Sequence, residues 1–212
     1  MYLGRIVAIA MNKAGKTAAM YRVSSRSFPN REAVLNNGQV SILPRPGFES
    51  DLRKNPYISY NCVRPAGEWV VATNGSQTDP ITEKIAMGMP PRDAITLGLL
   101  AMDYEKDSLD TPRIVAVVSN KRPVGYLGII RKDAVLVREF QLKPGVAHYI
   151  STYECNYTCD KFVDEKFNAE TAEDAAAYVV SGGVFADFTN AVTSAAAVAD
   201  GDGFKYAVKI EG

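Results

Sequence analysis

Arg22, Arg26 and Arg31 lie in one short stretch and enclose Ser24, Ser25 and Ser27. Guanidinium forks match the planar oxygens of phosphate and carboxylate, and serine hydroxyls add further donors, so the stretch reads as a phosphate clamp. The other reading is a solvated loop whose arginines pair with surface acids. Pro29 stiffens the stretch, which favours a preorganised site.

A second cluster, Asp103-Tyr104-Glu105-Lys106-Asp107, sits where a helical pattern ends. The helix dipole disfavours anions at that end, so Glu105 taken alone reads as a freely hydrated acid. Only a buried setting would raise its pKa towards a value useful to a general base. The single histidine, His148, precedes Cys155 and Cys159. C-x3-C is not the usual zinc knuckle, no second pair exists, and neither thiol has an activating context, so the sequence predicts no metal and no catalytic Cys-His pair. Gly125-Tyr126-Leu127-Gly128 and Gly182-Gly183 supply neither a dinucleotide fingerprint nor a P-loop.

The elements that must position these groups follow from pattern. Arg5 to Met11 and Thr17 to Ser24 read as an opening hairpin, followed by the polar loop through Arg31 and a short strand from Gln39 to Leu43. Tyr57 to Arg64 and Glu68 to Thr73 flank Pro65-Ala66-Gly67 as a second hairpin, and 74–80 reads as a loop. Ile81 to Met87 and Arg92 to about Tyr104 read as helices, the second with Ile95, Leu99 and Met102 on one face. Arg113 to Val118, Val124 to Ile130, Ala134 to Gln141 and Val146 to Tyr153 suggest an antiparallel meander. Glu170 to Val180 and Val184 to Ala199 read as alanine-rich helices, and Phe204 to Ile210 as a closing strand. The sum is one α+β domain over residues 1–212, whose layers stack as helix, sheet, sheet, helix.

Composition bounds the function. A chain of 212 residues, 47% of them hydrophobic, fits one core. Lys plus Arg and Asp plus Glu both number 24, so no net field holds a nucleic-acid backbone or an anionic membrane, and a small ligand in a locally charged pocket fits better. No signal-peptide pattern or membrane-length apolar run is present, and three cysteines make an odd count; a cytoplasmic protein with free thiols is expected. Oligomeric state, a homo-oligomer included, is left open.

Tyr2-Leu3-Gly4-Arg5, followed by Tyr21-Arg22-Val23-Ser24-Ser25-Arg26-Ser27-Phe28-Pro29-Asn30-Arg31, closely resembles the archaeal-type IMP cyclohydrolases. Shorter matches occur at Tyr60-Asn61, Asn74-Gly75-Ser76, Asp79-Pro80, around Glu105 and at Thr111-Pro112-Arg113-Ile114; the similarity covers most of the chain and weakens towards the C-terminal segment. The resemblance implies a four-layer αββα fold like that of the N-terminal nucleophile hydrolases. The nucleophile of that fold is missing, because Met1 precedes Tyr2. It also implies cofactor-free, reversible cyclodehydration of a formamidoimidazole carboxamide ribonucleotide to IMP. Arg31 would stabilise charge on the amide oxygen and Glu105 would take the amide proton. Ser25, Arg26 and Ser27 are candidates for the phosphate, and Tyr60, Asn61 and Asn74 for base or sugar. The rivals are an amidohydrolase of the same fold and a non-catalytic purine-nucleotide-binding module.

Overall fold

The computed structural model describes residues 1–211. In chain order the elements are β1 (Ile6–Met11), β2 (Thr17–Ser24), β3 (Arg31–Asn36), β4 (Gln39–Pro44), the short helix α1 (Asp51–Lys54), β5 (Tyr60–Ala66), β6 (Trp69–Thr73), α2 (Thr78–Ala86) and α3 (Pro91–Met102). There follow β7 (Arg113–Ser119), β8 (Val124–Ile130), β9 (Val135–Gln141), β10 (Val146–Ser151), β11 (Val163–Asp164), α4 (Ala172–Ser181), β12 (Ala191–Asp200) and β13 (Gly203–Ile210).

The strands form two antiparallel sheets. One runs β11-β10-β1-β2-β12-β13, the other β3-β4-β5-β6-β7-β8-β9 in sequence order. Their inner faces meet in a core built from residues such as Val7, Ile9, Tyr21, Val23, Ile42, Tyr60, Val70, Ile114 and Ala195. A second core joins the outer face of the first sheet to α4 through Ala8, Met20, Ala176, Val179 and Ala196. A third joins the other sheet to α2 and α3 through Val71, Ile81, Ile95, Leu99 and Val117. Each sheet is thus apolar on both faces, which is why β1, β2, β7 and β8 are buried at every position. The architecture is the expected α+β stack of four layers, αββα, with helices outside and sheets inside.

Four local readings need correction. The segment 191–200 is strand β12, not helix, inserted between β2 and β13. Alanine's helical preference is worth at most about 0.7 kcal/mol per residue over other ordinary residues, whereas β12 gains ladders on both edges and buries Val192 and Val198 at about 1.5–3 kcal/mol each. Its alternation is strand-like: Ala195 and Ala197 face the inner core, while Ala196 and Val198 face α4. Small residues let the alanine-rich helix lie close, and Ser194 Oγ donates to the Ala176 carbonyl at 2.6 Å.

Arg31 is not the end of a loop but the start of β3, which pairs with β4 across Asn37 and Gly38. Both turn residues have positive φ, 48° and 75°, as a two-residue hairpin turn of the primed type requires. The strand β10 leaves the β7-β8-β9 meander and pairs with β1 in the opposite sheet. Finally, α2 begins at Thr78, inside the stretch expected to be loop.

Candidate active site

Strand parity decides which side chains enter the space between the sheets. On β2, Tyr21 and Val23 belong to the inner core, so Arg22 points the other way, towards α4. Its guanidinium donates to the carbonyls of Val179, Val180, Phe185, Phe188 and Thr189, and its Nε donates to Ser24 Oγ. Arg22 is fully buried and holds the C-terminal end of α4; the clamp reading is wrong for this residue. Burial pushes its pKa down to about 10, partly opposed by Glu211.

Arg31 has the opposite parity. It shares a face with Ala33 of the inner core, and its Nε donates to the Phe28 carbonyl at 3.1 Å. That bond fixes the guanidinium at the side of a cleft of about 150 Å³ between the N-terminal end of β1, the 25–28 loop, the segment around Tyr57 and the 105–109 loop. Ser25 and Ser27 also line this cleft, with Tyr2, Arg5, Glu105 and Tyr153. Ser25 Oγ accepts from Phe28 N at 3.0 Å and shapes the loop. Arg26 is exposed at the rim, with its guanidinium 4.1 Å from the centre of the Tyr2 ring. A larger depression of about 980 Å³ beside α2 and α3 is lined by Met87, Pro90 and Leu97 together with Lys84 and the paired Arg92 and Asp93.

Glu105 enters this cleft because of how α3 ends. Asp103 takes up φ 55°, in the left-handed region, and turns the chain; Glu105 N then donates to the Thr111 carbonyl at 2.8 Å. Asp107 closes the loop by accepting from Leu109 N, Thr111 N and Thr111 Oγ1. The result is a carboxylate only 2% exposed. Burial raises its pKa above the ordinary 4.5, opposed by Arg5, Arg113 and Arg31 and assisted by Asp107. Desolvation outweighs three cations here, so Glu105 is a desolvated carboxylate rather than a hydrated surface acid.

The two carboxylate oxygens have different neighbours. Oε2 accepts from Arg5 Nη2 at 3.4 Å. Oε1 lies 3.7 Å from Arg113 Nη1, buried and without a hydrogen-bond partner among the described residues. Arg113 is held on two further sides: Nε donates to the Asp103 carbonyl at 2.7 Å and Nη1 to Gln77 Oε1 at 2.9 Å. Gln77 in turn donates to Asn74 Oδ1 at 2.8 Å. Asn74 Nδ2 donates to the Pro112 carbonyl, and its Oδ1 also accepts from Ile114 N. A buried polar chain thus runs from Asn74 through Gln77 and Arg113 to Glu105.

Gly75 is what lets this chain close. A Cβ there would stand 2.5 Å from Arg113 Nη1 and 2.6 Å from Gln77 Oε1, both already tied by hydrogen bonds. Gly75→Ala is therefore expected to cost about 1–3 kcal/mol of stability and to lower turnover about tenfold through a displaced Glu105. Thermal unfolding and kcat of the variant check both effects.

Tyr60 lies in the inner core with its hydroxyl 2.6 Å from that of Tyr21. Burial raises the pKa of both phenols. The neighbouring Asn61 has the opposite parity: its Nδ2 donates to Asp79 of α2, and its Oδ1 accepts from Ser41 Oγ. Tyr60, Asn61 and Asn74 thus stand outside the cleft lining, each engaged by protein partners. Sequence reading left Arg5 without a role, although it shares the parity of Val7 and Ile9 and must face inward. His148 packs against Phe140 on β10, Cys62 is buried in the inner core, and Cys155 and Cys159 are half-buried after β10.

Comparison with known proteins converges on one group. Residues 2–203 match the model of a family described as IMP cyclohydrolase-like protein. A protein of Methanosphaera stadtmanae named IMP cyclohydrolase is 48% identical over 197 residues, 93% of this chain and 94% of its own length. A protein of the same name from Methanocella arvoryzae is 52% identical over 177 residues, 83% of this chain and 84% of its own. Another, from Methanocaldococcus jannaschii, is 40% identical over 211 residues, 99% of each chain. The matched span takes in β1, the arginine-serine loop, Gly75 and the Glu105 loop, and with relatives of 40–52% identity over most of the chain it makes this chain a member of the IMP cyclohydrolase-like family.

Proposed function

We propose that this protein closes the purine ring, converting 5-formamidoimidazole-4-carboxamide ribonucleotide to IMP and water, and running the reaction in reverse, on a scaffold like that of the N-terminal nucleophile hydrolases. The observation that carries the reading is the buried Glu105 carboxylate, raised in pKa, in a cleft that also receives Arg31. A module that only binds an anion gains nothing from an acid in its pocket.

The substrate carries carboxamide and formamide on adjacent ring atoms, so proximity is built in, and the protein's work is to fix the rotamer and manage charge. The amide nitrogen is a weak nucleophile because its lone pair is shared with the carbonyl. Arg31 offsets that by stabilising negative charge on the amide oxygen while Glu105 accepts the nitrogen's proton. Loss of one such charge stabiliser costs about 3 kcal/mol. Ser25, Ser27 and the rim guanidinium of Arg26 serve the phosphate, and the buried Tyr60 hydroxyl serves base or sugar. Among the described residues no helix is long and apolar enough to cross a membrane, and a cytoplasmic location accords with this reading.

Purified protein supplied with the formylated ribonucleotide alone should produce IMP, followed by ultraviolet absorbance. Binding of IMP with no turnover in either direction would favour the non-catalytic module instead.

A further inference from the structure

Three arginines surround Glu105, and they are not equivalent. Arg113 is tied by Nε to the Asp103 carbonyl and by Nη1 to Gln77, and it is not among the residues that line the cleft. Arg31 spends its Nε on Phe28, leaving its two terminal nitrogens for a ligand. Arg5 is held from the backbone side, where its N–H donates to Thr152 Oγ1 at 3.1 Å. Among the described residues its guanidinium has a single hydrogen-bond acceptor, Glu105 Oε2 at the long distance of 3.4 Å. Its remaining donors have no acceptor among the described residues, and Arg5 and Glu105 both line the cleft.

The proposed reaction develops charge on two oxygens, and the cleft presents two free forks. When the carboxamide nitrogen bonds to the formyl carbon, the formyl π pair moves to its oxygen and the nitrogen's proton passes to Glu105. That proton must next reach the formyl-derived oxygen, which leaves as water together with the proton of the former formamide nitrogen as the C=N bond forms. An oxygen bound by Arg5 lies next to Oε2, where the carboxyl can return its proton. Arg113 lies behind Glu105 Oε1 and outside the cleft lining, so Arg5 is the fork that shares the cleft with the carboxylate.

We infer that Arg5 is a further catalytic residue, binding the formyl oxygen as it becomes anionic and holding it beside Glu105 Oε2 for protonation and departure. The assignment rests on the ring-closing activity proposed above. Arg5 is suited to it because the surrounding groups keep it a cation. Burial lowers its pKa, but Glu105 and the phenols of Tyr21, Tyr60 and Tyr153 together raise it above that of a free arginine. The charged and titratable groups facing Glu105 are Arg5 before β1, Arg31 on β3, Arg113 on β7 and Asp107 on its own loop. Loss of Arg5 should therefore also move the protonation of Glu105 to higher pH.

The test compares Arg5→Met and Arg5→Lys with wild type. Arg5→Met should lower kcat about 100-fold while IMP affinity stays within about threefold, and its acid limb should shift to higher pH. Arg5→Lys should recover part of kcat, and guanidinium ion added to Arg5→Ala should recover part as well. A loss confined to KM and IMP affinity would make Arg5 a binding residue and overturn the assignment; so would wild-type-like kcat, or a loss that neither lysine nor guanidinium relieves. If Arg5→Met does not fold, the lysine variant and the guanidinium response decide. Failure of wild type to form IMP would overturn the ring-closing reading itself, whereas active wild type with an equally active Arg5 variant would overturn only this step.

Discussion

Glu105→Gln should lose about 10²–10⁴-fold in kcat, the range ascribed to a positioned general base, while binding IMP within about threefold of wild type. The amide is nearly isosteric and keeps one of the two arginine contacts through its single oxygen, so the cleft need not collapse. What it lacks is a lone pair basic enough to take the carboxamide proton. Wild type should also show an acid limb in kcat/KM. The base works ionised, so activity rises with pH through the pKa of Glu105, and burial places that pKa above the ordinary 4.5. The residual activity of Glu105→Gln should lack the limb. A variant with wild-type kcat, or one that retains the limb, would remove Glu105 from the role.

How Glu105 acquires that role explains what could and could not be read from the sequence. Its position near the end of α3 is legible, but its burial combines the local Asp103 turn and Thr111 carbonyl with walls brought from elsewhere by the start of β1 and by β7. No local pattern encodes those contacts. Other features are legible in the sequence. Asn37-Gly38 is a strong hairpin signal, and it makes Arg31 the first residue of a strand. Alternation along β5 separates inward Tyr60 from outward Asn61, and along β1 it puts Arg5 on the face of Val7 and Ile9.

The misreading of β12 has a different origin. Its alanines answer to the closeness of α4 and to two flanking strands, β2 and β13, which lie far away or later in the sequence. Helical propensity registers only neighbours along the chain, so it had nothing to set against alanine's preference. The opening hairpin, by contrast, needs only its own alternation and turn, and the two helices α2 and α3 need only their apolar stripes; those elements appear where the pattern places them, to within a few residues.

The sharpest separation of look-alike residues is between Arg22 and Arg31, and it carries the second large prediction. Arg22→Met should destabilise the fold by about 3–5 kcal/mol, as expected when a buried charged donor is removed from largely buried acceptors. The methionine fills much of the volume but leaves the carbonyls of Val180 and Phe188 without this donor, at about 1–3 kcal/mol for each that fails to relax. It also removes a cation from the negative end of the α4 dipole. For a chain of this size such a loss lowers Tm by about 6–20 °C. Because Arg22 points away from the cleft, KM and kcat of the folded protein should change by less than about twofold at a temperature where the variant remains native. Arg22→Lys should recover only part of the stability, since one ammonium cannot span carbonyls on both sides of the α4 terminus. A phosphate ligand would show the reverse pattern, with KM raised and Tm nearly unchanged. Thermal unfolding measured beside steady-state kinetics therefore decides whether Arg22 serves the helix end or the substrate.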